Sequence, residues 1–206
     1  MEEPASAPNA ENLSAWATLA LAYLREQLGE RAPDVLGVGR IFAANPLEGE
    51  GAVAVFPFDL RHVGEGDCGH FVVVGKTEPN YYPAYDLDAE DIFHLHLGTR
   101  FMLVMQVAQR SPQPEDDFDP QREARAIVDR VAPQAKIEEL SVAACFDVEG
   151  QLHAVLKCRV NGSAVYLMAG EAPRGFSTDV RLPPQVAYRI HLGRVLLAEP
   201  KPADES

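Results

Sequence analysis

The sequence predicts an α+β protein with two similar halves, each built from a helix followed by a run of antiparallel strands. Three observations indicate this fold class. Apolar residues recur at helical spacing at the start of each half, and short segments rich in β-branched and aromatic residues follow. In addition, a His-Leu-Gly triplet begins at His96 and again at His191, 95 positions later (191 − 96 = 95). We expect a tandem internal duplication packed as one compact unit.

The first helix is predicted over residues 13–28, after an acidic, proline-containing tail at residues 1–12. Leucine and alanine recur three or four positions apart along this segment, and Asn12 or Ser14 can cap its start. Gly29 lies where a C-terminal glycine is common, and Pro33 prevents continuation of the helix.

Strands are predicted to complete the first half, residues 13–110. The segments with strand composition are Val35–Ala43, Ala52–Phe58 and His70–Gly75. A loop is expected over Pro79–Pro83 and a short helical turn over Asp86–Asp91. Apolar residues alternate with histidine in Ile92–Leu97, which favours a further strand continuing through Phe101–Val107.

The second half is predicted over residues 119–198, after an acidic connector at residues 111–118 and before a charged tail at residues 199–206. Asp119-Pro120 is typical of a helix start, with aspartate as N-cap and proline in the first turn, and Pro133 ends that helix. Asn161-Gly162 predicts a two-residue hairpin turn. The expected strands are Ile137–Val148, Leu152–Val160 and Ala164–Ala169, followed by a strand-like or mixed segment at Val186–Leu197.

The two copies of the triplet share their surroundings. An aromatic residue, Phe93 or Tyr188, stands three positions before each histidine. At the same offset of 95, residues 71–75 (FVVVG) align with residues 166–170 (YLMAG). In a duplicated protein, a concave seam between the halves is the default site for a ligand.

The negative charge is local. The net charge is −13, and it is carried by the two tails and by two runs of four acids each, at residues 86–91 and 115–119. The remaining body of the fold balances acids and bases. Binding to nucleic acid or to an anionic membrane requires a basic stripe, which the sequence lacks, so we expect neither partner.

The chain is expected to be a soluble cytoplasmic protein of bacterial type. No apolar run approaches the roughly 18 residues of a membrane span, and the first residues are acidic where a signal peptide is basic. Three cysteines are an odd, small number that indicates free thiols in a reducing compartment.

Motifs that resemble enzyme sites fail on their context. Residues 64–69 match GxGxxG, but a strand composition follows where a helix is required, and Glu65 and Asp67 repel phosphate. Gly75-Lys76-Thr77 lacks the glycine spacing of a P-loop, and no GxSxG, HExxH or paired CxxC occurs. The missing signatures favour a protein that is not an enzyme and needs no cofactor.

Histidines provide the alternative. On a strand, His94 and His96 would share one face, as would Cys68 and His70. Neighbouring strands could then bring imidazole and thiolate together on zinc or another transition metal. The simpler interpretation is a polar strand face with a small apolar cysteine.

A segment with three tyrosines and two prolines predicts a docking loop. Rigid aromatic area of this kind anchors protein partners, and an acidic run follows directly. The predicted partner-binding residues are Tyr81, Tyr82, Tyr85, Asp86 and Asp88. The alternative is that the tyrosines fold back over the sheet.

The function that these patterns favour is a non-enzymatic binding module, such as an adaptor, a chaperone-like protein or an inhibitor, present as a monomer or homodimer. It would contact a protein partner through the acidic and tyrosine-rich loops. Two alternatives remain. One is a metal-binding protein or metal-dependent enzyme that uses the His/Cys cluster. The other is a binder of a small anion in the seam, held by Arg100 and Arg194.

Overall fold

The α+β fold class is confirmed. A computed structural model describes residues 10–42, 51–61, 69–75, 78–83, 86–110, 118–170 and 174–198. This part of the chain contains four α-helices and two antiparallel sheets, of four and five strands. The chain divides into two compact units, Met1–His96 (unit 1) and Leu97–Ser206 (unit 2). The division falls inside a helix rather than at the acidic connector.

Both units contain a helix, four antiparallel strands and a helix in that order, and unit 2 has an additional strand before the first of these elements. The helices are α1 (Ala10–Leu28), α2 (Ala89–Val104), α3 (Pro120–Val128) and α4 (Pro184–Ala198). The first sheet contains β1 (Arg40–Phe42), β2 (Val53–Phe58), β3 (His70–Val74) and β4 (Asn80–Tyr82), each paired with the next. The second contains β5 (Ala108–Arg110), β6 (Ile137–Val148), β7 (Gln151–Val160), β8 (Ser163–Ala169) and β9 (Gly175–Ser177), also paired in sequence order.

In unit 1, both faces of the sheet are buried. Ala20 and Leu24 of α1 pack in a core with alternate residues of β2 and β3, including Phe56 and Val72. On the other face, Phe42 of β1 stacks on a ring of α2. Because helices lie on both faces, all five residues of β3 are buried and its sequence is continuously apolar after the first position.

Unit 2 has the same layers. Ala124, Ile127 and Val128 of α3 pack against one face of the sheet, which presents Leu156 and Leu167 among other residues. The other face carries Phe146, which stacks on a ring of α4. The 12-residue β6 and 10-residue β7 form the longest pairing in this sheet.

Local signals predict the boundaries in unit 2 well. Asp119 Oδ1 accepts hydrogen bonds from the backbone N–H groups of Gln121 and Arg122, at 2.9 and 3.2 Å, so the predicted cap is confirmed. Asn161 and Gly162 have φ of 50° and 81°, the left-handed pair that a two-residue hairpin of type I′ requires. In unit 1, Gly29 directly follows α1, where the sequence places a C-terminal glycine, and has φ of 57°.

Two predicted strands are wrong. Ile92–Leu97 and the first part of Phe101–Val107 belong to α2, and Val186–Leu197 lies in α4. Buried residues are distributed around the circumference of both helices, so neither shows the one-sided apolar stripe of an ordinary surface helix. The alternation of histidine with apolar residues therefore reflects helix positions and not the two faces of a strand.

Smaller corrections concern the first sheet. Of the strand predicted over Val35–Ala43, the described residues form β1 at Arg40–Phe42, while the N–H of Gly37 donates to the Pro57 carbonyl at 2.7 Å and Ala43 lies outside the described residues. The predicted loop at Pro79–Pro83 contains β4. Helix α1 begins at Ala10, before both predicted caps. β5, which the sequence assigns to the first half, pairs with β6.

Candidate functional site

Three histidine–tyrosine pairs make side-chain hydrogen bonds inside the units. In unit 1, the Tyr82 hydroxyl lies 3.1 Å from His96 Nδ1 and the Tyr81 hydroxyl lies 2.8 Å from His70 Nδ1. In unit 2, the Tyr188 hydroxyl lies 2.7 Å from His153 Nδ1. Tyr82–His96 and Tyr188–His153 each join a strand to the last helix of the unit.

Tyr188 keeps its proton in the pair of unit 2. Burial raises the pKa of Tyr188 far above its ordinary value of 10, so the phenol stays protonated. The hydroxyl and Nδ1 of His153 share one hydrogen bond, whose direction is set by the ring nitrogen that carries the imidazole proton. The Tyr188 ring also stacks on Phe146, with centroids 4.3 Å apart and planes at 8°. The hydroxyl and the ring together fix α4 on its sheet.

The predicted metal site loses its geometric basis. His94 and His96 lie on α2, where two positions are about 200° apart around the axis, so they do not share a face. His70 hydrogen-bonds to Tyr81. Cys68 lies outside the described residues. Within the described part, no three His, Cys, Asp or Glu side chains are arranged to hold a metal ion.

The tyrosine-rich segment does not form an exposed loop at its first two tyrosines. Tyr82 is buried with its hydroxyl at His96, and Tyr81 packs with the core beneath α1. Tyr85 lies outside the described residues. Asp86 is exposed. Asp88 Oδ1 accepts the backbone N–H groups of Glu90 and Asp91, both at 2.9 Å, so its role in the structure is to cap α2.

The two arginines proposed for an anion lie on α2 and α4. Arg100 is half-buried and Arg194 is exposed. Both belong to unit 2. Their use as an anion site stays a prediction.

An ion pair that the sequence did not indicate holds α3 to the chain that enters β9. Glu123, buried on α3, lies 3.1 Å from the guanidinium of Arg174. Arg174 also donates through Nε to the Gly170 carbonyl at 2.6 Å. The two partners are adjacent only in the folded unit, which is why no sequence pattern marks them.

The described cysteines are structural. Cys145 and Cys158 are free thiols buried against α3. Burial raises the pKa of both thiols, which disfavours the reactive thiolate.

The outward surface of α1 is unusual for a helix that covers a sheet. Residues 13–24 contain no charged residue. Ala15, Leu19 and Ala22 are exposed on one face, and Leu19 is 54% exposed; Ser14 and Thr18 are exposed as well. Trp16 and Tyr23 are half-buried on one flank of that face and pack against the core of unit 1. We call Ala15, Trp16, Leu19, Ala22 and Tyr23 the α1 outer face. Its signal in the sequence is the uncharged run.

Helix α3 provides a comparison, because it covers the equivalent face of its own sheet. Its exposed positions include Gln121 and Arg122, and Arg125 forms an ion pair with Asp129 at 2.6 Å. A polar outer surface is therefore compatible with the packing of such a helix, so the uncharged outer surface of α1 is a candidate binding surface.

Among the helices of the described residues, none is long and apolar enough to cross a membrane. No protein family, curated protein or solved structure matches the chain.

Proposed function

We propose that this protein is a non-enzymatic binding module that docks another polypeptide on the α1 outer face. The observation that carries the proposal is the exposure of Leu19 within twelve uncharged residues of a helix whose counterpart, α3, is polar on its outer surface. Apolar side chains left in water at the centre of a helix face are stabilised when a partner covers them. A helix with an apolar face is the partner that fits such a surface.

The polar groups support the same function. His70, His96 and His153 hydrogen-bond to tyrosines within their units, which gives these histidines a role in packing. The tyrosine-rich segment and Asp88 contribute to the sheet and to the cap of α2. The docking surface is therefore proposed on α1. Tyr85 and the acidic residues 115–117 lie outside the described residues, and a contact through them stays a prediction.

Site-specific photo-crosslinking in the protein's own host tests the proposal. A photoreactive phenylalanine derivative is placed at position 19, and a matched control carries it at Gln121, an exposed position of α3. We expect a polypeptide adduct at position 19 and little or none at position 121. No adduct at position 19, or equal yields at both positions, would contradict the proposal.

A further inference from the structure

The four strands of unit 1 and the last four strands of unit 2 pair in the same register. Every residue pair described for the first sheet has a counterpart in the second sheet, once each strand is moved by a fixed number of positions. The shift is 104 for the first strand, 100 for the second, and 95 for the third and fourth (146 − 42, 153 − 53, 166 − 71 and 177 − 82). A slip of one residue would turn every side chain of a strand to the other face, so the agreement places equivalent side chains on equivalent faces.

The same shift of 95 continues into the last helix of each unit. Helix α2 begins at Ala89 and α4 begins at Pro184, 95 positions later (184 − 89). The two His-Leu-Gly triplets within these helices are also 95 positions apart. Strand pairing plays no part in placing a helix or a triplet, so these two agreements are independent of the register.

Ring stacking relates the first strand to the last helix in the same way in both units. Phe42 of β1 stacks on Phe93 of α2, with ring centroids 4.4 Å apart and planes at 9°. Phe146 of β6 stacks on Tyr188 of α4 at 4.3 Å and 8°. Phe42 and Phe146 are related by the shift of the first strand, and Phe93 and Tyr188 by the shift of the last helix. One contact therefore recurs with both of its partners in equivalent places.

A close glycine contact recurs as well. Gly75 follows β3 and Gly170 follows β8, 95 positions later (170 − 75). A Cβ added to Gly75 would lie 2.8 Å from Cγ1 of Val53, and a Cβ added to Gly170 would lie 3.1 Å from Cδ2 of His153. Val53 and His153 are equivalent in the strand register, so each glycine leaves room for the same residue of the second strand.

From the register, the helix start, the stacked rings and the glycine contact, we infer that the two units are copies of one ancestral unit, joined by duplication within one chain. Two unrelated units of the same fold class need not share these details. The shifts change only between the first and second strands and between the second and third, in connections where a change of loop length costs little free energy. Strand β5, which pairs with β6, is an addition in unit 2.

This origin predicts that a buried pair can be moved from one unit to the other. Unit 2 has His153 and Tyr188, whose side chains hydrogen-bond at 2.7 Å, where unit 1 has Val53 and Phe93. Val53 and Phe93 are both buried, so a polar group introduced at either place alone loses its contact with water. Both together should rebuild the hydrogen bond of unit 2, because the two backbones hold equivalent positions.

Urea unfolding of a double-mutant cycle tests the inference. Val53→His and Phe93→Tyr should each lower the unfolding midpoint. The double variant should have a midpoint about 0.5 M urea above the value that adding the two single effects predicts, because only the double variant pairs the buried polar groups. The matched control combines Phe93→Tyr with Val55→His, two positions along the same buried face of β2, and should be additive. An additive double variant, or a control that gains as much, would overturn the inference.

A second exchange introduces no buried polar group and decides the question where the histidine variants do not fold. Phe56→Leu and Val72→Leu give unit 1 the facing pair Leu156 and Leu167 of unit 2. Phe56→Leu removes volume from the core and Val72→Leu adds volume opposite it. The double variant should therefore recover most of the urea midpoint that Phe56→Leu alone loses.

The control for this exchange adds the volume at Val74, whose equivalent in unit 2 is Ala169. Because unit 2 has a smaller residue at that place, Val74→Leu combined with Phe56→Leu should recover nothing. A Phe56→Leu/Val72→Leu variant no more stable than Phe56→Leu, or a control that recovers equally, would refute the equivalence of the two units.

Discussion

The hydrogen bond between Tyr188 and His153 makes the sharpest prediction about stability. Tyr188→Phe keeps the ring that stacks on Phe146 and removes only the hydroxyl, which lies 2.7 Å from His153 Nδ1. Tyr188 and His153 are 1% and 3% exposed, so water does not replace the lost hydroxyl. We expect the variant to be less stable, because it removes the hydrogen-bond partner of a buried ring nitrogen.

The size of the effect follows from the burial of both partners. Leaving one buried polar group without its partner costs about 1–3 kcal/mol. For a chain of this length, each kcal/mol lowers the melting temperature by about 2–4 °C. The expected shift is therefore roughly 2–12 °C. Tyr23→Phe is the control, because it removes the hydroxyl of a half-buried tyrosine on α1, and it should change the melting temperature little.

The compensating variant completes the test. Tyr188→Phe with His153→Val gives unit 2 the residues that unit 1 has at Phe93 and Val53. Removing both polar partners restores an apolar contact, so the double variant should recover most of the lost stability. Differential scanning calorimetry of the four proteins measures these differences. A Tyr188→Phe variant as stable as the wild type, or a double variant less stable than the single one, would refute the reasoning.

Three further predictions concern pH, a helix cap and a close contact. Burial raises the pKa of Tyr188 and of the two buried thiols, so the folded state holds these protons more tightly than the unfolded state. The contribution of these three groups to stability should be constant below about pH 9 and fall as the pH rises further. Urea midpoints between pH 7 and 11 measure this fall, and a midpoint that rises with pH would contradict it. Asp119→Ala should cost about 1 kcal/mol in the free energy of unfolding, because two N–H groups of α3 lose their acceptor. Asp119→Asn should cost less, because asparagine also caps helices. Equal losses in the two variants would contradict a capping role. Gly175→Ala should cost about 1–3 kcal/mol in the free energy of unfolding, because its Cβ would overlap the His191 ring. The additional change His191→Ala should recover part of this loss in thermal melts. A double variant no more stable than Gly175→Ala alone would show that the overlap is not the cause.

Sequence reasoning succeeds where the signal is local. The cap at Asp119 and the left-handed turn at Asn161-Gly162 depend on the chemistry of adjacent residues, and the structure confirms both. The long strands of unit 2 are also predicted closely, since flanking turns delimit them. The first helix is recognised from a different local signal, because its apolar residues recur three or four positions apart.

Sequence reasoning fails where burial is complete or where partners are distant. α2 and α4 are buried on several sides, so the periodicity that marks a helix is absent and alternation suggests a strand. The predicted metal ligands depended on that strand, and they separate once His94 and His96 lie on a helix. The short edge strand β4 exists only because β3 supplies its hydrogen bonds, and this pairing converts a predicted loop into part of the core.

By itself, the sequence determined the α+β class, the order of most elements and the uncharged run on α1, because propensity, turn chemistry and charge are properties of neighbouring residues. Only the tertiary structure decided which histidine meets which tyrosine, since Tyr188 and His153 are 35 positions apart. It also decided that Leu19 faces water while Ala20 is buried, because exposure depends on which side of α1 the sheet covers. The proposed docking surface follows from that last distinction.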